Sequence, residues 1–200
     1  MSKRAAAAAK PAEKAKIEMD PRYIAKLTFT LLGICVVVAL LLGVVNDVTK
    51  PIITQMQAEK TAAAMAQVLP ADDYQPVETD AANVTALYQA LSGGEPAGYV
   101  AEVTTNGFGG AINMVVGVDL NGEVTGVSVT KQTETANVGS KVVGDQAVLD
   151  RFIGMSHAGG EITVNAGANR FDGITGATVS SKAVTVGVNS ALAAVGALAE

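Results

Sequence analysis

Between Asp172 and Ser181 the chain reads DGITGATVSS, placing the hydroxyls of Thr175, Thr178, Ser180 and Ser181 around Gly173 and Gly176, just ahead of a stretch with helical spacing. Two chemistries suit such a segment. A hydroxyl can act as a nucleophile, but it then needs a base beside it. The one histidine, His157, stands in a Gly-rich loop with no partner at ligand or triad spacing, and it reads as a surface or structural residue. Alternatively, glycines turn the backbone at a helix start, where free amides and the positive end of the helix dipole favour a phosphate. A plain helix start capped by Ser180 or Ser181 uses the same residues, so the residues alone leave cap and phosphate site open.

Other catalytic signatures do not fit. There is no GxSxG elbow, HExxH pair or GxxxxGK[ST] loop. Gly107-Phe-Gly-Gly110 approaches a dinucleotide loop but has Ile112 where the third glycine belongs, and reads as a wide turn between strands. Asp145, Asp150 and Glu161 read as a solvated acidic face. The single Cys35 falls in an apolar run, so the portion beyond that run cannot build a disulfide, a cysteine-bound zinc site or an iron–sulfur cluster. Redox chemistry there would need an organic cofactor, and no metal ligands are expected.

The elements that must position the hydroxyl segment begin with an anchor. A mean hydropathy of +0.33 with 49% hydrophobic residues is high for a water-facing domain, and the excess is concentrated in Leu27–Asn46, which carries no charge. Twenty helical residues span about 30 Å, the thickness of a bilayer's hydrocarbon. A cleaved secretory signal would have a shorter apolar region and a small-x-small site. Residues 1–26 hold seven Lys or Arg against three acids, whereas residues 47–200 hold seven against sixteen. The positive-inside rule puts the basic tail in the cytoplasm and the acidic portion outside. That acidic surface also argues against nucleic acid as a partner. The Ala/Lys-rich start, MSKRAAAAAKPAEKAK, reads as an arm near anionic headgroups.

Four segments follow: a cytoplasmic tail (1–26), a transmembrane helix (27–46), a membrane-proximal helical segment (47–97) and a folded domain (98–200). After Pro51, Ile53, Met56, Met65 and Val68 recur at helical spacing up to Pro70; a further short helix fits around Ala81–Leu91. From Gly98 the period is two, with Tyr99, Ala101 and Val103, then Ile112, Met114, Val116, Val118 and Leu120. Asn121-Gly122 predicts a hairpin, and the phase change between Val124 and Val127 predicts a bulge at Gly126. A helix over Gln146–Ile153, a strand over Glu161–Asn165 and an amphipathic helix over Ser181–Leu198, buried through Val184, Val188, Ala191, Leu192 and Val195, complete an α+β fold, an antiparallel sheet flanked by helices.

Asp172-Gly-Ile-Thr-Gly-Ala-Thr178 also matches, at every fixed position, the D-x-x-[ST]-G-A-[ST] motif of the FMN-binding domain family, in which a flavin transferase esterifies FMN to the last hydroxyl. The run from Gly98 to Asp119 and then NGEVTGVSVTKQTET is similar to one branch of that family, the G subunits of Rnf electron-transport complexes. The related C subunits of sodium-pumping NADH:quinone reductases have the same layout. The resemblance covers roughly residues 20–200. One departure stands out: Glu134-Thr-Ala-Asn-Val-Gly139 replaces the usual E-T-P-G-L-G, keeping Glu134, Thr135 and Gly139.

The resemblance implies an FMN-binding domain outside a bacterial cell membrane and an electron carrier in a ferredoxin:NAD oxidoreductase that moves Na+ or H+. Thr178 would bear a covalent FMN, with Gly173, Thr175, Gly176 and Ala177 shaping the phosphate turn. Glu134, Thr135 and Lys141 would line the ring or its approach, and Asp172 would serve recognition by the transferase. Partners would be the other membrane subunits, that transferase and lipid. The chain would bind neither NAD nor ferredoxin and catalyse nothing alone. A quinone-reductase subunit or stand-alone flavin carrier, and a flavin-free assembly module in which the turn is only a helix cap, are the alternatives.

Overall fold

The computed structural model describes residues 20–198, in two compact units, 1–52 and 53–200. The basic tail expected over 1–26 lies outside the described residues as far as residue 19. Helix α1, Pro21–Val68, belongs to both units and is long and apolar enough to cross a membrane. In the first unit its apolar side chains are exposed all round, among them Phe29, Leu31, Leu40 and Val45. A helix apolar on every side suits hydrocarbon, where its backbone bonds are satisfied internally. Thr28 and Thr30 donate their hydroxyls to the carbonyls of Ile24 and Lys26, at 3.0 and 2.8 Å, leaving little polarity facing outward. Pro51 stands inside α1.

The second unit is built on five antiparallel strands in sequence order: β1 (Asp73–Val77), β2 (Val84–Ser92), β3 (Glu95–Asn106), β4 (Ala111–Asp119) and β5 (Val124–Lys131). The short helix expected over Ala81–Leu91 is instead strand β2, so the sheet begins inside the segment expected to be helical. Its local spacing fits either element, and pairing decides. Leu87, Tyr88 and Gln89 face Ala101, Val100 and Tyr99 of β3 across the hairpin at Gly93-Gly94. In β4, Ile112, Met114, Val116 and Val118 point into the core as their alternation predicts, but Leu120 is exposed in the following turn. There Gly122 takes φ 78°, and the Asp119 carboxylate accepts from the amides of Asn121 and Glu123 at 2.9 and 2.8 Å. The bulge falls one residue before the expected place. Gly126 pairs with Gly117 and Val124 with Val118, leaving Thr125 as the extra residue.

The sheet is covered on both faces. Ala101, Val103, Met114 and Val116 pack with α4 (Thr178–Gly196), which buries Val184, Val188, Ala191, Leu192 and Val195 as expected. On the other face Ala90, Val100 and Val115 meet Ala64, Met65, Val68 and Leu69 from the end of α1. That end sits directly over the two paired glycines, for a Cβ on Gly117 would stand 2.8 Å from the Val68 carbonyl oxygen and one on Gly126 3.0 Å from Val68 Cα. Thr125 donates its hydroxyl to the same carbonyl at 2.7 Å, satisfying a group that a helix C-terminus leaves free.

Between sheet and last helix come α2 (Ser140–Val143), α3 (Gln146–Leu149) and a 3₁₀ turn at Asp150–Phe152, which together with α3 fills most of the helix expected over Gln146–Ile153. The strand expected over Glu161–Asn165 is shorter, β6 (Thr163–Val164), paired in parallel with β7 (Arg170–Phe171). Phe152 and Phe171, both fully buried, stack at 4.1 Å between ring centroids. Each contributes roughly 1.5–3 kcal/mol of burial, and Phe171 fixes where the chain enters the hydroxyl segment.

Candidate functional site

From Phe171 the chain turns towards α4 through contacts that the sequence of the turn dictates. Gly173 packs so closely that a Cβ there would lie 2.7 Å from Val164 Cγ1 and 3.2 Å from the Ser181 side chain. Its amide donates to Asn165 Oδ1 at 2.9 Å. The Ile174 amide donates to Ser181 Oγ at 3.2 Å, and the Ala177 amide to the Ile174 carbonyl at 3.0 Å. Gly176 takes φ 83°, a left-handed conformation costly for other residues. Ala177 is buried at the N-cap position, and Thr178 is the first helical residue, exposed.

This arrangement corrects the reading of Ser180 and Ser181 as helix caps. Ala177 occupies the cap and has no side chain that can accept a hydrogen bond. Both serines are buried one turn further in. Ser181 accepts from Ile174, and Ser180 donates to Glu134 Oε2 at 2.6 Å. The first intrahelical bond runs from the Ser181 amide to the Ala177 carbonyl at 2.9 Å. The amides of Thr178, Val179 and Ser180 precede it and are the unsatisfied donors of a helix start.

Glu134 ties three segments together. It is 8% exposed. Its Oε1 accepts from the Gly109 amide at 2.9 Å, in the turn between β3 and β4, and its Oε2 from Ser180 on α4. Thr133 reinforces the first link, donating its hydroxyl to the Gly109 carbonyl at 3.1 Å. Gly107 and Gly139 lie so close that a Cβ on either would collide with the Glu134 carboxylate. The Gly107–Gly110 run is thus a turn, as expected, and one wall of the site. In the loop that departs from the family pattern, Asn137 takes φ 62°, and its amide donates to Ser140 Oγ at 2.9 Å. Asparagine tolerates that conformation better than most residues.

A cleft of about 430 Å³ opens where these segments meet, lined by Phe108, Glu134, Thr135, Val138, Gly139 and the run Gly176–Ser180. Of the residues singled out in the sequence, Glu134, Thr135, Gly176, Ala177 and Thr178 come together here. Gly173 and Thr175 lie in the turn but do not line it, and Lys141 is exposed on α2, outside the lining. Asp172 is exposed and pairs with Arg170 at 2.9 Å, while Arg151 Nη1 donates to its carbonyl at 3.1 Å. Sequence reasoning gives no site role to Phe108, Val138, Gly139 or Val179, and reads Ser180 as a helix cap. Phe108, an aromatic residue in a glycine-rich turn with no alternating neighbour, is the available signal; it is 74% exposed. A wider cleft of about 610 Å³ lies at the C-terminal end of α4, lined in part by Tyr99, Asp119, His157 and Leu198. Its lining includes the Gly122 turn and the last residues of α4, and none of the first-turn residues of α4.

The smaller cleft fits a phosphorylated planar aromatic ligand such as FMN. The Thr178 hydroxyl is open to solvent beside three free amides that can receive phosphate oxygens. Phe108, Val138 and Val179 are exposed apolar groups that a ring would cover.

A profile of the FMN-binding domain family matches residues 107–193, a span that holds every residue lining the cleft. The G subunit of the Na(+)-translocating ferredoxin:NAD(+) oxidoreductase complex of Acetobacterium woodii is 32% identical over 199 residues, covering 90% of this chain and 95% of that relative. The G subunit of the ion-translocating oxidoreductase complex of Methanosarcina acetivorans is 32% identical over 181 residues, 86% of this chain and 95% of its own. Its Escherichia coli K12 counterpart is 32% identical over 168 residues, 76% and 81%. Among solved structures, the C subunit of the Na(+)-translocating NADH-quinone reductase from Parabacteroides distasonis shares 22% identity at a TM-score of 0.45, covering 55% of this chain and 59% of that one.

Proposed function

The chain belongs to the family of G subunits of ion-translocating oxidoreductase complexes, and from that premise we propose that FMN is held in its cleft by a phosphoester bond to Thr178. The protein is a membrane flavoprotein that carries electrons within an ion-translocating ferredoxin:NAD+ oxidoreductase. The observation that carries the Thr178 assignment is the pairing of its exposed hydroxyl with the free amides of the first turn of α4. Thr175 and Ser180 have hydroxyls too, but Thr175 does not line the cleft and Ser180 is committed to Glu134.

When bound, FMN supplies one- and two-electron chemistry that no side chain here can perform. The chain's own residues bind and orient. The amides of Thr178, Val179 and Ser180 hold a phosphate where the helix dipole favours negative charge. Gly176 lets the backbone reach it, and Phe108, Val138 and Val179 exclude water from a ring face. A covalent link keeps the cofactor from dissociating even though the cleft is open and shallow.

The same reading makes Leu27–Asn46 the membrane span and puts the basic tail in the cytoplasm, with the flavin-bearing sheet domain on the opposite side of a bacterial cell membrane. The attachment then requires a flavin transferase on that side, and the tail meets anionic lipid. Expression with the transferase, followed by denaturing electrophoresis, tests the assignment. Flavin fluorescence should comigrate with the wild-type chain and with Thr178→Ser and disappear in Thr178→Ala. A dark wild-type band, or a fluorescent Thr178→Ala band, refutes it and returns the turn to a plain helix start.

A further inference from the structure

The cleft floor carries a charge that its hydrogen bonding does not require. Glu134 is enclosed by Gly107 and Gly139, which leave no room beside its carboxylate, and its two oxygens accept from the Gly109 amide and the Ser180 hydroxyl. A glutamine would satisfy the same partners, its carbonyl accepting from Gly109 and its amide donating to Ser180. No Lys or Arg lines the cleft. The ion pair of Arg170 with Asp172 lies outside the lining. The groups that bond or crowd the Glu134 carboxylate carry no formal charge: Gly107 and the Gly109 amide from the β3–β4 turn, Gly139 before α2, and Ser180 from α4. Lys131 and Lys141, the nearest cations along the chain on either side, are both exposed and stand outside the lining.

We propose that Glu134 sets the redox poise of the cleft: its buried carboxylate, bonded but matched by no cation, opposes negative charge on a flavin ring bound there and keeps the flavin's reduction potential low. This rests on the reading of the cleft as the FMN site. Each electron that reaches the flavin without a proton adds one negative charge, and a fixed anion inside a partly desolvated cleft is screened far less than one in water. The reduced ring is therefore destabilised relative to the oxidised ring, and a carrier so tuned passes its electrons on readily. Glu134 acts here as a positioning and tuning residue, bonded to no reacting atom.

Redox titration of the purified, flavin-loaded protein tests this, with absorbance following reduction of the flavin. Glu134→Gln and Glu134→Ser both remove the charge, the first keeping the bonds and the second leaving space for water. Both should move the midpoint potential in the positive direction, whereas Glu134→Asp should stay nearer wild type. Glu95→Gln, which removes an exposed carboxylate from the start of β3, should leave it unchanged. Circular dichroism of the apoproteins checks the fold of each variant, and fluorescence of the denatured band checks loading. Loaded, folded neutral variants that titrate at or below the wild-type potential would overturn the proposal while leaving the FMN site intact. A wild-type chain that carries no flavin would overturn both.

Discussion

Replacing Ser180 by alanine isolates the bond on which the cleft depends. The Ser180 hydroxyl donates to Glu134 at 2.6 Å in a site where the serine is 2% and the glutamate 8% exposed. A hydrogen bond to a charged group contributes about 1.5–3 kcal/mol, and little water can replace the lost donor at such burial. The removed atom is small, so the cavity adds little. For a unit of this size each kcal/mol moves the melting midpoint by about 2–4 °C, so Ser180→Ala should melt roughly 3–12 °C below wild type. Full-length apoprotein in detergent, followed by circular dichroism, gives the measurement. In a Glu134→Gln background the same change removes only a neutral bond and should cost about 1 kcal/mol. A Ser180→Ala midpoint within about 1 °C of wild type, or equal costs in the two backgrounds, would show that this bond does not join α4 to the Glu134 segment as described.

Gly139→Ala should lower the midpoint by a cost of about 1–3 kcal/mol, because its methyl group would meet a carboxylate held at both oxygens; thermal denaturation and flavin loading should fall together. Asn137→Val puts a β-branched side chain at φ 62° and should cost about 1–2 kcal/mol in the same melts, while Asn137→Gly should stay near wild type. Phe108→Ala should leave loading of Thr178 intact but change the flavin's absorption spectrum and raise its accessibility to an iodide quencher, since this exposed ring touches the cleft and not the acceptor. Asn189→Ala should destabilise the protein by about 2–4 kcal/mol in chemical denaturation, for its side chain accepts from the Ile162 amide at 3.0 Å, donates to the Ile162 carbonyl at 2.8 Å and also reaches His157 at 3.2 Å.

The parts of the fold visible in the sequence are those whose signals are local. The apolar run of Leu27–Asn46, the alternation of Ile112 to Val118, the turn at Gly122 and the buried stripe of α4 each follow from spacing within one element. Strand β2 escapes such a reading because Val84–Ser92 has no clean period, and its identity comes from partners in β3. Ser180 and Ser181 mislead for a related reason. Near a helix start, serine is a good cap by propensity, but these two lie on the inward face, and their partners, Glu134 and Ile174, are distant or set by the turn. Thr178 is legible because a short motif carries it. The role of Phe108 depends on a fold that brings residues 108, 134 and 178 to one place.

The docking of Val68 over Gly117 and Gly126 bears on where the folded domain begins. The last turns of α1 supply Ala64, Met65, Val68 and Leu69 to the cluster that covers one face of the sheet, so they are interior material as much as they are a stalk. Cutting the chain at the first strand, Asp73, would strip that face and leave Ala90, Val100 and Val115 open to water. A fragment starting near Ile53 keeps them covered. The compact folded unit therefore begins inside a single helix, upstream of the first strand by about twenty residues.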